Sequence, residues 1–118
     1  MIKTVNLLKR RSGMSMEDFI EHYESTHRRI GEKYLKGHAC HYIRRYLFPV
    51  PDPATGESYE AEYDVLLEIW YPNEAAYQNA MAAINAPEAA AEISADEANL
   101  FDRSSMRSFH VREFESDM

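Results

Sequence analysis

The segment YDVLLEIWY, residues 63–71, places the heaviest constraint on how this chain can fold. Its β-branched, leucine and aromatic residues read as a strand, and Pro72 and Asn73 stop it. Alternation puts Tyr63, Val65, Leu67, Ile69 and Tyr71 on one side and Asp64, Leu66, Glu68 and Trp70 on the other. Both sets carry large apolar groups, so both faces of the sheet holding this strand need cover. With 118 residues the chain can supply one core but not two, so a single domain over residues 1–118 is expected.

The remaining patterns say what the cover is. IKTVNLLK, residues 2–9, is apolar and β-compatible, and RRSGM breaks it. Ser15 reads as an N-cap, with Glu17 and Asp18 in the first turn of a helix reaching about Lys36. Gly37 suits the position just past its end. ACHYIRRYLFPV alternates as a second strand, and PDPATGESYEAE has the composition of a hairpin loop. The alanine-rich run from Glu74 reads as one helix to about Asn85 and, after Pro87, a second segment ending near Phe101. SMRSFHVREF closes the chain as a strand. The order β-α-β-β-α-β predicts an α+β, ferredoxin-like fold: a four-stranded antiparallel sheet with helices on one face. The uncovered apolar face then predicts a homodimer paired sheet to sheet.

The first helix carries the best chemical candidates. At about 100° per residue, Met16, Phe19, Tyr23, His27, Ile30 and Tyr34 fall in one arc about 80° wide. His27 therefore sits in the apolar stripe one turn after Tyr23. It reads either as a core histidine bonded to a carbonyl or as an acid/base at a pocket between helix and sheet. His22 lies about 140° from His27 on a regular helix and reads as solvated. Five-residue spacing is not that of a metal-binding pair, and His38 and His41 fall on opposite strand faces, so no metal site is expected.

Other positions join a set of candidate substrate contacts: Phe19, Tyr34, Tyr46, Glu68, Trp70 and His110. Tyr42, Arg44 and Tyr46 share one side of the second strand and read as a dimer surface, with a pocket wall as the alternative. Glu68 reads as a dimer-face charge or as a partner orienting a histidine, and His110 as a pocket or plain surface residue. Cys40 reads as a small buried residue, and one cysteine fits a reducing compartment.

The net charge of −7 argues against nucleic acid, and no apolar run approaches the roughly 18 residues that span a bilayer. The basic residues after the short N-terminal apolar stretch reverse the order of a signal peptide, which points to the cytoplasm. No phosphate loop, dinucleotide fingerprint or Ser/His/Asp signature is present, and no cofactor is expected.

FIEHYESTHRRI, DVLLEIWYPNEAAY and ADEANLFDRSSMRSFHVREF resemble the EthD family of the dimeric α+β barrel superfamily, in the same order over essentially the whole chain. Asp96-Glu97 followed by Phe101-Asp102 is the most specific part, and Tyr23 with His27 the next. The resemblance implies a ferredoxin-like monomer paired through its sheet, with a cavity between helices and sheet. It implies links to the breakdown of ethers and other xenobiotics or to polyketide tailoring. Superfamily chemistry includes cofactor-free monooxygenation, decarboxylation, dehydration, cyclisation and haem breakdown. The family's helix-one histidine corresponds to His27 and its strand tryptophan to Trp70. Arg28 and Arg29 replace the small residues or proline that usually follow that histidine, and the hairpin of residues 49–62 is long.

The expectation is therefore a small cofactor-independent enzyme, lyase or oxidoreductase, acting on an apolar aromatic or polyketide-like molecule. His27 would move a proton, and Tyr23 would donate to a developing oxyanion. The competing readings are a non-catalytic small-molecule binding protein of a degradation pathway and a haem-binding protein.

Overall fold

The computed structural model describes residues 1–118. Four strands, β1 (Ile2–Leu8), β2 (His41–Tyr46), β3 (Val65–Tyr71) and β4 (Arg107–His110), form one sheet in the order β2-β3-β1-β4. Every neighbouring pair is antiparallel. Helices α1 (Met16–His22) and α2 (Arg28–Leu35) form one long element joined by a π-helical segment, Tyr23–His27. Helices α3 (Glu74–Asn85) and α4 (Pro87–Leu100) follow β3, and a 3₁₀ turn at Arg103–Ser105 leads into β4. This is the ferredoxin-like α+β arrangement that the sequence pattern predicts.

Local chemistry sets the boundaries. The Ser15 hydroxyl accepts from the Asp18 N–H at 3.0 Å and starts α1. The Asn73 side chain does the same for Ala76 at 2.8 Å, and so opens α3. Pro87 occupies the first turn of α4, where its missing N–H costs no helical bond. Beyond Lys36, Gly37 takes the left-handed conformation at φ +86°, which turns the chain toward β2.

The register resolves which side of each strand meets the helices. Val65, Leu67, Ile69 and Tyr71 lie beside Leu8, Asn6, Thr4 and Ile2 of β1, and this set packs under the helices. Tyr42, Arg44 and Tyr46 pair with Ile69, Leu67 and Val65, so they share the helix side. That corrects the dimer-surface reading of this trio. Two-residue periodicity gives the set but not its side, and the pairing with β3 decides it. Arg44 and Tyr46 both bond Glu24 of the π segment, which ties β2 to the first helix.

The interior is divided. Leu8, Phe19, Tyr23, Val65, Leu100 and Phe101 form one buried cluster, and Leu35, Ile69, Tyr71 and Ala80 form another. Leu67 packs against both. Cys40 is exposed rather than buried, because it precedes β2 at the sheet margin.

Candidate functional site

A cavity of about 390 Å³ lies between the two clusters, with the sheet as floor and α2, α3 and α4 as walls. Leu67, Ile69 and Tyr71 come from β3, and Thr4, Asn6 and Leu8 from β1. The helices add Ile30, Tyr34, Tyr77, Met81 and Ile84. Tyr23, His27, Glu97 and Phe101 gather on one wall, while Ser108 and His110 of the exposed strand β4 stand at the rim.

His27 is held by a carboxylate. Its Nδ1 lies 2.8 Å from Asp96 Oδ2, and the ring packs edge-on against Tyr23 and Phe101 at 5.2 and 5.3 Å between centroids. The second oxygen of Asp96 is taken by His22 Nε2 at 2.7 Å. An ionised carboxylate only accepts, so each histidine donates its N–H to it. Burial alone would raise the Asp96 carboxyl, but the hydrogen bonds from His22 and then His27 outweigh it and hold it below the ordinary aspartate value. With Nδ1 committed, Nε2 is the His27 nitrogen left for the cavity.

His22 is thus a partner of the site, which corrects its reading as a solvated residue. The 140° separation holds only on a regular α-helix. Here the Arg28 N–H bonds the Tyr23 carbonyl five residues back, and this π turn brings residues five apart onto one side. His22 and His27 then reach the same residue of α4. Ser25 and Thr26, at the bulge, are exposed and leave no trace in the apolar pattern.

The Tyr23 hydroxyl is buried and has no hydrogen-bond partner. Burial, and next the neighbouring Tyr42, push its pKa well above that of a free phenol, so it stays a neutral donor. Tyr42 reaches the cavity because Gly31 has no side chain: a Cβ there would stand 2.8 Å from Tyr42 Cζ. Glu97, one residue past Asp96, faces the cavity, and burial raises its carboxyl pKa against the opposing charges of His27 and Arg103.

Of the candidates from sequence, His27, Tyr23, Tyr34 and His110 line the cavity. Tyr34 donates to Glu92 of α4 at its edge, and His110 Nε2 lies 3.5 Å from the Tyr77 hydroxyl. Phe19 does not line the cavity: it is fully buried behind Tyr23 and packs edge-on against Tyr23, Tyr46 and Phe101. Tyr46 is likewise outside, its hydroxyl spent on Glu24. Glu68 and Trp70 lie on the opposite sheet face, Glu68 paired with Arg45 and Trp70 between Lys3 and His41. Asp96, Glu97, Asn6 and Gly31 are the site residues that periodicity could not flag. Asp96 and Glu97 stood out only through the family resemblance.

Solved structures share this architecture. An EthD family protein from Bacillus halodurans superposes with a TM-score of 0.63 at 18% identity, over 97% of this chain and 100% of that one. An Arabidopsis thaliana protein gives 0.63 at 14% identity over the full length of both. A protein from Mesorhizobium loti described as a dabb family member with a ferredoxin-like fold gives 0.53 at 12%, over 97% of each chain. At these identities the likeness concerns the fold. No curated protein matches the sequence. The EthD domain profile matches residues 11–104, from the turn before α1 to the 3₁₀ turn before β4, and the chain belongs to the EthD family.

Proposed function

We propose that this protein is a small-molecule enzyme in which His27 takes a proton from an apolar, aromatic or polyketide-like substrate held between helices and sheet. The observation that carries the reading is the Asp96–His27 pair on the wall of a largely apolar cavity. Asp96 fixes the ring orientation and stabilises the imidazolium that forms when Nε2 accepts the proton. From a C–H donor the bonding pair becomes the enolate C=C bond and the carbonyl π pair moves onto oxygen. From an O–H donor the pair stays on that oxygen, and the Tyr23 O–H, which has no protein partner, would donate to the oxyanion. Enolisation, dehydration, cyclisation and activation of a phenol toward oxygen all begin with this step.

The same reading includes a homodimer. The sheet face away from the helices presents Val5, Leu7, Ile43, Leu66, Trp70 and Phe109, and no element of the chain crosses it. A second copy offers the matching surface.

The test is α-deuterium exchange of 2-tetralone in D₂O, followed by NMR. Wild-type protein accelerates exchange, and His27→Ala lowers the rate by roughly 10²- to 10⁴-fold. An undiminished rate in a folded His27→Ala protein removes His27 from the chemistry. Saturable binding of 2-tetralone with no exchange would instead support a carrier.

A further inference from the structure

The charge of the cavity wall narrows the ligand. No lysine or arginine lines the cavity, and its one carboxyl, Glu97, stands beside His27. A bound carboxylate or phosphate would meet no fixed cation. It would instead approach the negative charge of Asp96 directly behind the His27 ring. Buried charge without a partner is expensive, so this wall selects against anions.

The sheet floor adds a further polar group. The Ser108 hydroxyl donates to Asn6 Oδ1 at 2.5 Å and so orients the amide. Its N–H₂ group is left without a protein partner, and Asn6 lines the cavity from the central strand β1. The amide is an uncharged donor, suited to a carbonyl or hydroxyl oxygen.

We propose that the cavity selects an uncharged ring compound carrying two oxygen functions, one facing His27 and Tyr23 and the other accepting from the Asn6 amide. This rests on the reading of the cavity as a substrate site and sharpens it. Decarboxylation, which needs a carboxylate substrate, drops out of the candidate reactions. Those that begin from a neutral phenol or enolisable ketone remain. Asn6 is a specificity-determining residue.

Three probes of one shape test this by calorimetry at pH 7.5: 4-(hydroxymethyl)benzophenone, 4-benzoylbenzamide and 4-benzoylbenzoate. The two uncharged probes bind, and the carboxylate binds at least about 10-fold more weakly, since a tenfold ratio needs only about 1.4 kcal/mol. Asn6→Leu weakens 4-(hydroxymethyl)benzophenone by roughly 3- to 10-fold, the scale of one neutral hydrogen bond. Its circular dichroism and unfolding midpoint establish that the variant is folded, and Ser108→Ala, which frees the amide to turn, gives a smaller loss in the same direction. Equal or tighter binding of the carboxylate, indifference of the uncharged probe to Asn6→Leu in folded protein, or failure of every probe to bind overturns the proposal. None of these readings needs turnover, so a catalytically silent protein that still prefers the uncharged probes would contradict the acid/base role alone.

Discussion

Asp96 and Glu97 are neighbours in sequence with opposite electrostatics. Two imidazole N–H groups outweigh burial at Asp96, so its pKa falls. Burial dominates at Glu97, so its pKa rises above 4.5. The signs differ accordingly. The Asp96 contribution to stability is present above the unfolded carboxylate value and is lost as pH falls through the lower folded value. Glu97 favours the fold below its unfolded value, and that contribution is lost as pH rises through the folded one. Glu97→Gln is therefore expected to raise the thermal midpoint relative to wild type at pH 7 and to leave it nearly unchanged at pH 4. Thermal unfolding at the two pH values checks this, and an equal shift at both would contradict it. Little of this was legible in the residues: a carboxylate pair on a helix reads as solvated surface until the opposing element is known.

At the scale of elements, the strand and helix order was readable because each segment carries its own punctuation. Ser15, Gly37, Asn73 and Pro87 act within a turn of themselves, and the structure uses all of them. The π turn was not readable, because one extra residue in a helix changes no hydrophobic spacing outside itself. Its effect is to bring His22 and His27 to one carboxylate. Gly31, in α2, is a second departure from simple rules. In an exposed helix interior, Gly→Ala stabilises by about 1 kcal/mol. At Gly31 the new methyl would collide with Tyr42, and overpacking costs about 1–3 kcal/mol. Gly31→Ala is thus expected to lower the urea midpoint, with a net loss of up to about 2 kcal/mol. A raised midpoint would show that Tyr42 yields freely.

For the whole molecule, helices cover one side of the sheet and leave an apolar side open. The radius of gyration is 15.8 Å, whereas a compact domain of 100 residues has about 13 Å. Phe48, Val50 and Tyr59, in the connection between β2 and β3, are exposed. The two-sided apolar character of β3, visible in YDVLLEIWY alone, is the feature that asks for a second copy. Sedimentation is expected to give a dimer, and Leu66→Glu, on the open face, a monomer with unchanged helical content. A wild-type monomer at micromolar concentration would contradict sheet-to-sheet pairing.

Proton transfer by His27 depends on which of its nitrogens faces the cavity, and long-range ¹⁵N–¹H spectra of the neutral imidazole read this directly. The proton is expected on Nδ1, toward Asp96, with an unprotonated Nε2 whose resonance moves when 2-tetralone is added. A proton on Nε2, or a resonance indifferent to the ligand, would contradict the role assigned to His27.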